Sequence, residues 1–380
     1  MTSHAVLLAK RLIEIDSINP ELVPGAAGES AVAEFAAQWL SDHGFEVSSI
    51  GRNPARPTIV GVARGSGGGR SLMLNGHLDT VGTTTYRGDP FSADVRDGRL
   101  YGRGAFDMKG GVAAILVGAA QAVSAGLAGD VIVTLVADEE FGSAGTEDAL
   151  ALHTADAAIV AEPSGLELTL AHRGFAWFSL EITGVAAHGS MPEQGVDAIA
   201  HAAQVLRALD VLRETLESAP AHPLVGRGTV RVSTINGGVD AATVAPSCTL
   251  TIERRFLPGQ SVDGVERELR ESLAGLLGHH ESGAHASLSR IVARGAFEAH
   301  PESAIATVVA RVASEVFGHE VVTRGEPFWT DAGLIAEAGV PCVIIGVDGG
   351  GAHADEEWAT TESIEQLAEI VERTTLAFCQ

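Results

Sequence analysis

The chain has 380 residues, 46% of them hydrophobic and 19% charged, with a formal net charge of -24. That length suggests two domains at about 100 to 200 residues each, the composition excludes a disordered chain, and the negative charge argues against nucleic acid or an anionic membrane surface as a main partner. Cys248, Cys342 and Cys379 lie far apart without Cys-x-x-Cys spacing, which points away from a disulfide framework or a thiolate metal site.

From the N-terminus, Ala5, Leu8, Leu12 and Ile15 recur at helical spacing, and Ala33, Phe35, Ala36, Trp39 and Leu40 mark a second amphipathic helix beginning near Ser30. Lys10, Arg11, Glu14 and Asp16 fall where a signal peptide would need its apolar core. The longest apolar run, around Val112 to Ala120, is well short of the roughly 20 residues that span a bilayer. A cytoplasmic protein is the expectation. Thr58 to Ala63 and Ser71 to Asn75 are β-rich, Met108 to Val123 has helical length, Val131 to Ala137 and Ala157 to Ala161 are apolar runs, and Thr146 to His153 between them reads as a helix. This alternation predicts an α/β sheet with mostly parallel strands.

The texture changes near Arg173. Trp177 to Thr183, Thr229 to Ile235 and Thr249 to Arg255 alternate apolar and polar residues, as half-exposed antiparallel strands do. Helical stretches at Val196 to Leu216 and Val262 to Leu277 accompany them, so a sheet with helices on one face is expected there. After His300 the α/β pattern resumes, with a helix from Glu302 to Phe317, a strand at Cys342 to Val347 and a last helix from Glu362 to Phe378. The expectation is therefore a discontinuous domain, 1–173 and 294–380, interrupted by an inserted α+β domain, 174–293.

Polar clusters follow the apolar runs. His77 and Asp79 come two positions apart after Leu72-Met73-Leu74, and residues i and i+2 of a strand face the same way. A carboxylate beside an imidazole can accept one ring proton and leave the other nitrogen free for a metal, although an isolated His-x-Asp reads first as a surface histidine and a turn aspartate. Asp107, Asp138-Glu139-Glu140, Glu162 and His353 also stand beyond apolar or glycine-rich runs. In a doubly wound sheet the carboxyl ends of the strands share one edge, where ligands bind. Each cluster alone reads as a solvated loop; together they suggest convergence.

Eight segments in order, GHLDTV, GRGAFDMKGG, ADEEFGSAGT, AEPS, HRGFAWFSLEITGVAAHGSMPEQGVDAI, INGG, ERRFLPG and GAHADEEW, resemble the M20 metallopeptidase family in its acetylornithine deacetylase and succinyl-diaminopimelate desuccinylase branch. The resemblance implies a zinc-exopeptidase-like catalytic domain with an inserted lid and dimerisation domain, and a site for two zinc ions. His77 and Glu162 would bind one metal, Glu140 and His353 the other, and Asp107 both, followed by a cis peptide at Asp107-Met108. Asp79 would orient His77, and Glu139 would act as general base for a metal-bridging hydroxide that attacks an amide. His188 would reach a partner subunit's active site in a homodimer, and Asn236 and Arg255 would lie on the substrate side. Glu253-Arg254-Arg255 replaces the family's usual Asp-x-Arg, which leaves the choice between the two arginines open.

The charges agree with this assignment: two dications outweigh the carboxylates of Asp107, Glu140 and Glu162, whereas without metal those carboxylates would repel one another and take up protons. Nitrogen and oxygen ligands without thiolate favour zinc, with cobalt or manganese also fitting. Glu162 resembles the deacylase and carboxypeptidase members, and the run Ala171-His172-Arg173-Gly174 is similar to that of the acetylornithine deacetylase branch, with N-acetylornithine the leading substrate among N-acyl amino acids and short peptides. A zinc carboxypeptidase and a succinyl-diaminopimelate desuccinylase are the same-class alternatives. A non-catalytic small-molecule binder is the alternative of another class, and the intact set of seven positions argues against it.

Overall fold

The computed structural model describes residues 3–380. It divides into two compact units: one reaches to Leu170 and adds Ala299–Arg324 and Thr330–Gln380, and the other is Ala171–Glu298 with Gly325–Trp329. Periodicity alone places Gly325–Trp329 with the rest of the C-terminal region, whereas in the structure it belongs to the second unit.

The sheet of the first unit runs, in spatial order, Glu46–Ile50, Thr58–Ala63, Val131–Val136, Leu72–His77, Ala157–Val160, Cys342–Ile344 and Leu168–His172. Neighbours from Val131–Val136 through Cys342–Ile344 are parallel. The flanking pairs are antiparallel, so the sheet is mixed around a parallel centre. Glu46–Ile50 and Thr58–Ala63 are joined only by residues 51–57, too short a link for the crossover that parallel neighbours require.

Both faces of this sheet are covered, which is why its central strands are continuous apolar runs. Val60, Val62 and Ile132 face Ala149 of the helix Ala144–Leu150. Gly61 and Gly76 allow helices close on the opposite face. A Cβ on Gly61 would sit 3.0 Å from Leu40 of helix Ser30–Asp42, and one on Gly76 would sit 3.0 Å from Met108 and Val112. The segment Ala105–Ala125, 21 residues, is the one helix among the described residues long and apolar enough to cross a membrane by length and composition. It is a core helix: 72% of its most apolar window is buried, packed against helices His4–Ile13 and Thr361–Phe378 and the strand Leu72–His77. Cys248, Cys342 and Cys379 are free and buried.

The second unit is an antiparallel sheet in the order Thr229–Gly237, Ser247–Phe256, Gly174–Thr183, His285–Arg294, Gly278–His279. Phe178, Leu180 and Ile182 alternate onto one face and, with Leu250 and Ile252, meet Val205 and Leu209 of helix Ala198–Ser218 and Val265 and Leu269 of helix Val262–Ser272. The strand His285–Arg294 was not expected from sequence. Only Ala286 and Leu288 are buried along it, too faint an alternation to register.

Candidate active site

The parallel strands deliver polar groups at their carboxyl ends. Leu72–His77 ends on His77, Val131–Val136 leads to Asp138-Glu139-Glu140, Ala157–Val160 leads to Glu162, and the chain beyond Cys342–Ile344 carries His353. These side chains share the edge where ligands bind in open α/β sheets.

His77 is fixed by the main chain. Its Nδ1 lies 2.9 Å from the carbonyl oxygen of Asp79, whereas the Asp79 carboxylate is 3.7 Å away, beyond hydrogen-bonding distance. With the Nδ1 proton given to that carbonyl, Nε2 is the nitrogen turned to the cluster. The Asp79 carboxylate instead accepts the N–H of Glu139 and of Glu140, each at 3.1 Å, and the Asn19 side-chain amide at 2.8 Å. It therefore aims the Glu139-Glu140 turn, a different task from the orientation of the His77 ring expected from sequence. Arg56 buttresses the same turn, donating to Asp138 at 2.9 Å while it pairs with the buried Glu29.

Asp107 stands between the two histidines. Its Oδ1 is 3.1 Å from His77 Nε2 and its Oδ2 is 3.4 Å from His353 Nε2. The Asp107-Met108 peptide is cis. On the His77 side, Glu162 Oε1 is 3.6 Å and Glu139 Oε2 is 4.0 Å from Nε2. On the other side, Glu140 Oε2 is 3.0 Å from His353 Nε2. His77 is fully buried and His353 is about half exposed, so the cluster runs from the interior to the rim.

The electrostatics are those of a cation site. Burial and the neighbouring Glu162 hold Glu139 well above the usual carboxylate range, and burial holds Glu162 high as well. Burial and Asp107 push Glu140 up to about 7. Burial would lower His77, but Glu162, Asp107 and Glu139 outweigh it and hold it well above its ordinary value. Hydrogen bonds to Asp107 and Glu140 raise His353 to about 10. Burial works against the ionised form of Asp107, yet its bonds to the two imidazoles hold it below the ordinary range. The metal-free cluster therefore keeps protons where a cation would replace them. Glu140 Oε1 is buried without a hydrogen-bond partner, and His77, Asp107 and Glu140 bring ligand atoms within 4.8 Å of one another, as do His77, Glu139 and Glu162. The residues fit a metal.

Asp331 escaped the sequence reading. It is buried beside the cluster, accepts the Thr146 hydroxyl at 2.6 Å, and is pushed up to about 6 by burial. It follows no apolar run, so no strand exit marks it. Asn19, Glu29 and Arg56 were missed for the same reason.

The remaining sequence candidates belong to the second unit. His188 is exposed, and its Nδ1 accepts the N–H of Ser190 at 3.2 Å. Asn236 lies exposed on the strand Thr229–Gly237, opposite Thr249. Arg254 is buried and bonded to Glu268 at 2.9 and 3.0 Å, whereas Arg255 pairs with Glu253 at 2.8 Å and keeps 23% of its side chain exposed.

Acetylornithine deacetylase of Myxococcus xanthus is 30% identical over 373 residues, covering 95% of this chain and 93% of that protein. The N-formyl-4-amino-5-aminomethyl-2-methylpyrimidine deformylase of Bacillus subtilis is 28% identical over 408 aligned positions, covering 98% of this chain and 94% of the other. Among solved structures, an M20 family metallo-carboxypeptidase from Sulfolobus solfataricus has a TM-score of 0.82 at 16% identity, over 99% of each chain, a likeness of fold. Residues 73–377, which take in the whole cluster from His77 to His353, match peptidase family M20/M25/M40, and the chain belongs to that family of metal-dependent hydrolases.

Proposed function

We propose that the chain is a dinuclear amide hydrolase that removes the acyl group from an N-acyl amino acid, with N-acetylornithine as its first substrate. The observation that carries this reading is the position of Asp107, whose two oxygens face two different imidazoles. His77 and Glu162 would hold one ion, His353 and Glu140 the other, and Asp107 both, with zinc the ion the donor set suits best. When bound, the ions supply Lewis acidity, polarising the acyl carbonyl and acidifying a water.

The chain's own groups do the rest. Glu139, its basicity raised by burial and by Glu162, takes the proton of the attacking water and returns it to the amine nitrogen as the C–N bond breaks. Since Ser190 N–H occupies Nδ1 of His188, the neutral ring carries its proton on Nε2 and can donate it to a developing oxyanion. In a homodimer that donor would serve the partner subunit's site. Arg255, rather than the buried Arg254, would meet a substrate carboxylate, and Asn236 would lie on the substrate side. The deacetylase and deformylase names of the full-length relatives favour acyl removal over peptide cleavage.

Purified zinc-loaded protein assayed against N-acetylornithine, N-succinyl-diaminopimelate, N-acyl-glutamates and short peptides tests the reading. Turnover of N-acetylornithine above the others is expected, and none on any N-acyl amino acid would remove the deacylase assignment. Glu139→Gln should abolish turnover with metal content intact; an active variant would sink the general base. His188→Ala should lower kcat without changing metal content.

A further inference from the structure

The loop that carries Asp107 and the turn that carries His353 are tied together by one buried ion pair. Arg103 and Glu357 are 1% and 0% exposed, and Nη1 of the first lies 2.8 Å from Oε2 of the second. Glu357 Oε2 also accepts the N–H of Gly104 at 3.1 Å, and Oε1 accepts those of Phe106 and Asp107 at 3.0 and 2.9 Å. The guanidinium of Arg103 reaches the other way, donating from Nη2 to the carbonyl of Ala354 at 2.8 Å, one residue beyond His353. One carboxylate thus gathers the backbone before and at Asp107, while its partner holds the backbone beside His353.

A buried ion pair is a poor device for stability alone, because well-packed apolar residues of similar volume often serve as well or better. A charged fork is suited to fixing two backbone segments at a set separation. His77 is held independently by the Asp79 carbonyl, and Glu162 stands on the segment after Ala157–Val160. Neither is bonded to Arg103 or Glu357 among the described residues.

We propose that Arg103 and Glu357 are positioning residues for the metal position at His353 and Glu140, setting the separation of Asp107 and His353. The ion at that position would take two ligands that the pair sets in place, Asp107 and His353, whereas the ion at His77 and Glu162 would share only Asp107 and so depend on the pair less. The inference rests on the dinuclear reading above.

In Glu357→Gln, whichever end becomes the NH2 group faces N–H donors, so either the Asp107 loop or the Arg103 bond is lost. Arg103→Lys keeps the charge but loses the fork that spans Glu357 and Ala354. Metal-free wild type and both variants are titrated with Co2+, read by visible absorption and calorimetry, and the denaturant midpoint of each metal-free protein is recorded. The first equivalent should bind within about threefold of wild type, and the second about 10- to 100-fold more weakly. A pair that only stabilises the fold would lower the midpoint and leave the two steps unchanged or weaken them equally, and either result in a folded variant overturns the proposal. If Glu357→Gln fails to fold, Arg103→Lys decides. Wild type that takes up one Co2+ overturns the dinuclear reading and this inference with it, whereas two equivalents in wild type and unchanged steps in the variants overturn this inference alone.

Discussion

Replacing Asp79 by alanine tests what this carboxylate holds. The side chain is fully buried and accepts the amides of Glu139 and Glu140 and the side chain of Asn19. Asn19 keeps its other N–H on Asp138 Oδ1 at 3.2 Å, so the substitution leaves two backbone amides and one side-chain N–H without an acceptor. A buried donor left without an acceptor costs about 1–3 kcal/mol, and relaxation of the turn would recover part of the sum. We expect the metal-free protein to lose about 3 kcal/mol, with kcat/KM falling about 10- to 100-fold as Glu139 and Glu140 leave their aim. Asp79→Asn keeps one oxygen for one amide and should lose roughly half as much. The His77 ring, held by the main-chain carbonyl, should stay in place in both. Urea unfolding of metal-free protein and steady-state kinetics make the measurement. A metal-free Asp79→Ala protein that unfolds at the wild-type midpoint would refute this account of the turn.

Other consequences follow from the same geometry. His77, His353 and Glu162 all have folded pKa values above their ordinary ones, and Glu140 is near half-protonated at neutral pH. These shifts favour the protonated forms in the metal-free protein, which the ions displace, so zinc binding near pH 7 should release protons and tighten as pH rises; calorimetry in buffers of different ionisation enthalpy that finds no net proton release contradicts this. A Cβ on Gly111 would overlap the carbonyl oxygen of Ala161, one residue before Glu162. Gly111→Ala should cost about 1–3 kcal/mol and weaken metal binding together with it, whereas wild-type stability and affinity would show that the backbone yields freely. Arg254→Met should lower stability by about 2 kcal/mol through its lost bonds to Glu268 without a large change in KM, while Arg255→Met should raise KM and leave the fold intact. The reverse pattern would exchange their roles.

Much of the fold was legible because the sheet is covered on both faces. Val131–Val136 and Ala157–Val160 are apolar at nearly every position, and the acids just beyond them mark their ends. Edge strands gave less: Glu46–Ile50 is largely exposed and polar, so nothing in its sequence announces a strand or its antiparallel pairing. In the site, His77, Glu139, Glu140, Glu162 and His353 could be placed by strand exits. Asp107 sits at the irregular start of the segment Ala105–Ala125, after a glycine-rich stretch, and its place between two metals follows from motif resemblance. Residues that hold the ligands were illegible for a different reason. Asn19 meets Asp79 across 60 positions and Arg103 meets Glu357 across 254, and no local period encodes such pairings.

The three buried thiols sit at separate stations of the molecule. Cys248 lies within the sheet of the second unit, Cys342 begins the strand leading toward His353, and Cys379 caps the last helix. Burial pushes each thiol above its ordinary pKa, so none reacts readily while its surroundings are closed. Each is a built-in clock for the opening of its own region. Pulsed alkylation followed by peptide mass mapping would time the three regions separately in one native sample, with no residue engineered in, and would show whether metal slows the opening around Cys342 while leaving Cys248 at its own pace.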